Sequence, residues 1–525
     1  MALHLRDDLE RSLASVKFAS DGLVDETSLD GRVRNILAVV AYFADREEWK
    51  SIVSLKQIQE AYFDRISTMF DQPYRLMLEA NSDPYSFAGW FASEGSRVKE
   101  TIHTIDNFVE SMTEFWSNIA DPTWIHLEDS QVPQAIFTGE IFPDSQSNVI
   151  SSTGIYFDTT ILPDPFLKIA PVLPLMGEAE RVEEILRLGL QVISYRELAV
   201  ADFPTPIVAV LPDRHSLEDN YREFIFDGAT RSTLQHASIL FDRSFTTIDE
   251  LTDFLQHFTS SSEIVSALSR PEELVFATEW EGNLASHIDR YLIESGSKLN
   301  IAQPGQAVFA HLVSRFSQAT DSFQRSRELR ATPIVRAETS WLWFNWMLRN
   351  NAMLENSESL VSLHMARALG KSAKSDLSWL GNVPPTALLE IRKAGALEEI
   401  RALMSAGVAE LVAVRPDNFF RTGDKVFDNL DSAFRDHEAK LRNLREKKWK
   451  FAGFDIGSFL VVGGIEMTAA LTGMPLFGAA AATTSMLGVT PTAKDLKERF
   501  GKLNEESKAL TSSGVGILFK FRRIA

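Results

Sequence analysis

The chain has 525 residues, 53 Lys plus Arg against 72 Asp plus Glu, no cysteine, and a hydrophobic content of 45%. That composition excludes collagenous, mucin-like and wholly disordered chains, and the length fits several domains of about 150 residues each. The formal charge of −19 disfavours nucleic-acid binding except on a local patch, and the lack of cysteine removes disulfides, thiolate metal sites and cysteine nucleophiles.

The first 18 residues, MALHLRDDLERSLASVKF, place Arg6, Asp7 and Asp8 where a secretory leader would need an apolar run, so a cytoplasmic location is expected. Residues 1–140 read as a helical domain: SLKQIQEAYFDRISTMF puts Ile58, Tyr62, Ile66 and Phe70 on one face, and VKETIHTIDNFVESMTEFW has the same period.

Residues 141–260 read as an α/β region. Short apolar runs (GIYFDTTI, LQVISY, PIVAVLP, EFIFDG, ASILFDRSF) suggest strands, and GEAERVEEILRLGL suggests an amphipathic helix between the first two. Four acids end such runs, Asp158, Asp213, Asp227 and Asp242. Carboxylates at strand ends are where α/β folds place ligands, and grouped carboxylates are what Mg²⁺ or Mn²⁺ requires. Asp residues also cap helices and form turns, which is their commoner use. The stretch GIYFDTTILPDP is similar to the first strand of PIN-like metal-dependent nucleases, which also put an Asp and a hydroxyl residue after a hydrophobic run; Thr160 stands where that family often has Asn. The resemblance implies metal binding through Asp158.

Residues 261–434 read as a second helical domain. WLWFNWML, with Trp341, Trp343, Phe344 and Trp346, fits a helix covered on more than one side. Pro384 and Pro385 precede a helix start and Gly395 a helix end, and ALEEIRALMSAG repeats the design with Leu397, Ile400, Leu403 and Met404. The hexapeptide VAVLPD at 208–213 is echoed by VAVRPD at 412–417.

Residues 435–525 form a basic C-terminal segment on an otherwise acidic chain. Residues 435–450 carry seven basic and three acidic side chains, and residues 494–525 carry eight and four. Between them lies an apolar stretch whose only charges are Asp455 and Glu466, broken by Gly473 and Pro475. It reads as a helical hairpin over 451–490, buried on the body or touching a membrane or partner through Trp449, Phe451, Phe454, Phe459, Leu460, Met474, Leu476 and Phe477. Basic flanks on both sides suit a hairpin with both ends in the cytoplasm.

Walker A, GxSxG, HExxH and dinucleotide fingerprints are absent, and the ten histidines never pair at three- or four-residue spacing. The fold expectation is therefore a mainly α, multidomain chain with a central α/β region and a C-terminal hydrophobic helical hairpin. The functional expectation is a non-enzymatic cytoplasmic interaction protein without cofactor, its partner a protein or a membrane surface. A sensor or effector of bacterial stress or phage defence is the biological setting such a chain would suit. The alternative is a metal-dependent hydrolase or nuclease using the four aspartates with Mg²⁺ or Mn²⁺.

Overall fold

The computed structural model describes residues 46–143, 149–213, 219–299, 301–350, 357–371, 383–414, 418–451, 502 and 505–522. Within them the chain is mainly helical around a small parallel sheet, as its composition and periodicities suggest.

The N-terminal layer is α1 (Leu55–Glu79), α2 (Pro84–Ala92) and α3 (Gly95–Glu128). Ser54 opens α1 with a capping box closed by Gln57, and Asp83 caps α2 by accepting from the Tyr85 and Ser86 amides. The expected stripe of Ile58, Tyr62, Ile66 and Phe70 is buried. It faces α6 (Glu178–Ile193), which follows β1 (Gln134–Thr138), α4 (Val149–Thr153), β2 (Thr159–Pro163) and α5 (Pro165–Ile169). Gly189 of α6 allows this approach, because a Cβ there would sit 2.3 Å from the Phe70 ring.

After α7 (Arg196–Ala199) comes β3 (Val208–Leu211), then α8 (Asp219–Phe241), α9 (Ile248–Gln256), α10 (Ser261–Ala267), α11 (Leu284–Leu299) and α12 (Pro304–Glu328), leading to β4 (Ala331–Val335). The sheet order is β3-β2-β1-β4, every neighbouring pair parallel. It draws β1 from the end of the N-terminal helical stretch and β4 from the second helical stretch. Ile136, Ile161, Ala209 and Leu211 bury one face beneath Trp124 and Leu127 at the end of α3, while Ala135, Phe137, Leu162, Val208 and Val210 join the main core. Burial on both faces is the usual condition of a parallel sheet.

Three of the five sequence-read strands are helix. EFIFDG and ASILFDRSF lie in α8 or at its end, and LQVISY closes α6. In α8 the buried residues Ile225, Ala229, Thr233, His236 and Leu240 recur at helical spacing, a pattern that a six-residue window cannot separate from a buried strand. GIYF forms the turn before β2, whose strand begins at Thr159.

The last layer is α13 (Glu338–Asn350), α14 (Ser357–Lys371), α15 (Pro385–Lys393), α16 (Leu397–Ser405), α17 (Val408–Val414), α18 (Phe419–Phe451) and α19 (Gly514–Arg522). The four large rings of α13 are all buried, as a centrally packed helix requires. Pro385 starts α15 as expected, and Gly395, at φ +64°, reverses the chain after it. The apolar stretch expected to form the hairpin, with Phe454, Phe459, Leu460, Met474, Leu476 and Phe477, lies outside the described residues. Trp449 and Phe451 fall in the last turn of α18. No helix among the described residues is long and apolar enough to cross a membrane.

Candidate functional site

In a doubly wound parallel sheet, ligands bind outside the carboxyl ends of the strands where the strand order reverses. Here β2 and β3 lie to one side of β1 and β4 to the other, so the reversal falls between β1 and β4.

β1 ends at Thr138, whose hydroxyl meets that of Ser322 on α12 at 2.7 Å. Gly139 follows at φ +85°, and a Cβ there would press on Val335 at 3.1 Å and Ser340 at 3.4 Å. Its carbonyl accepts from Gln318 Nε2 at 2.5 Å and Ser340 Oγ at 3.2 Å, so the chain leaving β1 is pinned against β4 and α13. Glu140 then turns its carboxylate onto the start of α13, Oε1 accepting from the Ala337 amide at 3.0 Å. A carboxylate is favoured there because first-turn amides lack intrahelical partners and carry the positive end of the helix dipole.

Beyond β2, Asp164 is fully buried and caps α5 by accepting from the Leu167 amide at 2.6 Å. Burial raises its pKa above the usual carboxylate range, although Leu167, Tyr62 and Trp116 favour its charge. One turn on, Lys168 Nζ donates to the Glu140 carbonyl at 2.8 Å. Burial, and then the nearby Arg325 guanidinium, lower the Lys168 pKa, against the pull of Asp213, Asp321 and Glu140.

Beyond β3, Asp213 is 3% exposed and pairs with Arg325 Nη2 of α12 at 2.5 Å. Arg325 Nε pairs with Asp321 at 2.8 Å, and Tyr221 of α8 donates to Asp321 at 3.2 Å. Burial works against the Arg325 charge, but Asp321 and Asp213 outweigh it and hold the group cationic. The ends of three strands, with the helix before β4, thus send charged or hydroxyl groups to one end of the sheet: Thr138 at the end of β1 and Glu140 after it, Lys168 after β2, Asp213 after β3 and Arg325 from α12.

Of the four aspartates chosen from sequence, only Asp213 belongs to this cluster. Asp158 precedes β2 and so sits at the opposite end of the sheet, roughly 16 Å away along a five-residue strand. Its carboxylate is held by Arg392 of α15 at 2.8 Å and Arg401 of α16 at 2.5 Å, and the same arginines donate to the carbonyls of Tyr156, Phe157 and Asp158. The likeness to a PIN-type first strand fails on this point, because Asp158 comes before the strand and serves as an anchor for two arginines. Asp227 is exposed on the middle of α8, and Asp242 is exposed just past its end at φ +47°. The four acids are not brought together, and among the described residues no group of three or more His, Asp or Glu side chains is placed to hold a metal ion.

Lys168, Arg325, Glu140, Asp321 and Gly139 were not singled out from sequence. The one local signal was TGE directly after the apolar run QAIF, but the reading placed the start of the α/β region beyond it. Arg325 and Asp321 lie on α12, in a stretch that reads simply as helix.

The class defined by this architecture is a mainly helical protein built on a four-stranded, doubly wound parallel sheet with a charged cluster at its switch point. No family model matches the chain, and no curated protein or solved structure is significantly similar to it.

Proposed function

We propose that the chain is a non-enzymatic cytoplasmic interaction protein whose folded body presents the apolar stretch between α18 and α19 to a membrane surface or a partner protein, with no cofactor required. The observation that supports this reading is the way the chain returns to the body after that stretch. Ile517 and Leu518 of α19 are each 1% exposed, and Phe519 meets Phe434 and His437 of α18 with ring centroids 6.0 and 5.1 Å apart. The Gly514 amide donates to Glu399 of α16 at 3.0 Å, and Lys520 reaches Glu390 of α15 at 3.0 Å. The helix that follows the apolar stretch is therefore anchored on the same layer as α18, the helix that precedes it, as suits a segment presented from the body. A role in stress or phage defence is compatible with that design. For the metal-dependent hydrolase or nuclease alternative, the described residues offer no converging carboxylates of the kind that Mg²⁺ or Mn²⁺ would need.

The docking of α19 also decides the test, because truncation before residue 452 would strip α19 from its site. An internal deletion of residues 455–503, closed by a short Gly/Ser linker, keeps both helices. Flotation on anionic liposomes of the full chain, but not of the deletion, at low salt and less at high salt, is the result expected for a membrane contact. Capture of a discrete protein by the full chain alone is the result expected for a protein partner. The reading is withdrawn if the deletion matches the full chain in flotation, partner capture and size in solution.

A further inference from the structure

We propose that the groove between α1 and α3 is a helix-binding surface whose occupant is a segment of the same chain, residues 32–45 (RVRNILAVVAYFAD), laid along it parallel to α3. This goes beyond the interaction role of the C-terminal stretch and involves the opposite end of the sequence.

Four observations carry it. The first is the groove itself. α1 and α3 run antiparallel: the Val53 carbonyl, just before α1, lies 2.7 Å from His126 Nε2, and the rings of Tyr62 and Trp116, then of Phe70 and Phe108, meet with centroids 5.4 and 5.1 Å apart. Between the two helices runs an open trough of about 380 Å³. Its floor is apolar, with Val53, Ile58, Ala61, Phe115 and Ile119. Its rim is polar, with Glu114 on the α3 side and Arg65 of α1 stacked over the Phe115 ring at 4.5 Å. A furrow between two antiparallel helices, apolar at the bottom and charged at the edge, suits the ridge of an amphipathic third helix.

The second is the direction from which the chain arrives. The guanidinium of Arg46 is held at the C-terminal end of α3 by Glu128 and Asp129, each at 2.7 Å, and Lys50 reaches Asp129 at 2.9 Å. The residues before Arg46, which lie outside the described ones, therefore start beyond the Val53 end of the trough.

The third is register. Helices side by side rise equally, by about 1.5 Å per residue. Counted back from Arg46 at the level of Glu128, Val33, Ile36 and Leu37 fall level with the stretch of α3 from Phe115 to Ile119. Those three share one face with Val40 and Phe43 at helical spacing. The fourth is charge: the same count sets Arg32 opposite Glu114, with Glu110 one turn further, both acids exposed on α3. A tether this short holds the segment at an effective concentration on the order of millimolar, which a second copy matches only at that protein concentration.

The chain has no cysteine, so thiol cross-linking tests the assignment in the full-length protein. With a short bis-maleimide, Val33→Cys should cross-link to Ala61→Cys within one chain at least about tenfold faster than to Thr113→Cys. Thr113 is exposed two residues from Phe115, on the opposite side of α3. Equal rates overturn the proposal. So do products of twice the chain mass alone, their yield rising with protein concentration, which would make the occupant a second copy. A second measurement needs no cysteine: Ala61→Arg fills the floor at a half-buried position and should speed amide exchange of residues 33–40 by about tenfold, with the Val210 amide unchanged as the sign of an intact body. Exchange of residues 33–40 at the same rate in Ala61→Arg and the unaltered chain overturns the proposal.

Discussion

Asp158 is the residue whose meaning changes most between sequence and structure. As a carboxylate after an apolar run it invites a metal, yet both of its oxygens accept from arginines on helices more than 230 residues further along the chain. The arrangement bolts the α15–α16 pair onto the turn before β2. Removing the acid leaves Arg392, its side chain 11% exposed, without a carboxylate and Arg401, 14% exposed, with Glu398 alone. Losing one partner of such a partly buried cluster costs on the order of 3 kcal/mol. Asp158→Ala should therefore lower the unfolding free energy in a urea titration by about that amount. Asp227→Ala, on the exposed face of α8, should leave it within about 0.5 kcal/mol. Equal midpoints for the two variants would show that the arginines do not depend on Asp158.

At the scale of elements, the edge of the sheet illustrates how a helix protects a strand. The outer edge of β3 would expose an amide and a carbonyl at Val210, a template for strand addition. Gln59 of α1 meets both, Nε2 donating to the Val210 carbonyl at 3.0 Å and Oε1 accepting from its amide at 2.8 Å. Gln59 has no accessible surface, so Gln59→Leu would bury both backbone groups of Val210 unpaired. The expected loss is about 2 to 4 kcal/mol, with faster hydrogen exchange at the Val210 amide than in the unaltered chain. An unchanged exchange rate would mean that water or the strand itself compensates.

For the whole molecule, buried histidines contribute to the response to acid. His311 stacks on Phe276 with centroids 4.1 Å apart, and its Nε2 lies 2.9 Å from the Val275 carbonyl. Burial pushes its pKa down from 6.5 to about 3. His236, among Phe316, Trp343 and Trp346, is lowered for the same reason. Below pH 6.5 the unfolded chain takes up protons at these positions that the folded chain refuses. For His311 the stabilisation is complete above pH 6.5 and is lost as pH falls towards 3, by up to about 1.4 kcal/mol per pH unit, and His236 adds to the loss in the same direction. Asp164 acts in the opposite sense, since its raised pKa means that acid relieves the cost of burying its charge. The melting temperature should fall between pH 6.5 and pH 4, and His311→Gln should flatten that slope while lowering the plateau. An identical slope in the variant would place the acid sensitivity elsewhere.

What the sequence by itself determined was whatever depends on neighbours within a few turns. The stripe of α1, the rings of α13, the Pro385 start of α15 and the amphipathic α6 all follow from local spacing, capping and backbone restriction. Only the tertiary structure decided which short apolar runs became strands and which polar residues met. Val-Ala-Val is a buried strand at 208–210 and the end of a helix at 412–414, because the first has β2 beside it to receive its hydrogen bonds and the second continues the turns of α17. β1 and β4 pair across nearly 200 residues, and the charged cluster exists only because that pairing brings the loop after β1, α5, the end of β3 and α12 to one edge. Hydrogen-bond partners for a strand, and counter-charges for a buried lysine or arginine, come from anywhere in the chain, so a window of the sequence contains the groups but not their meetings.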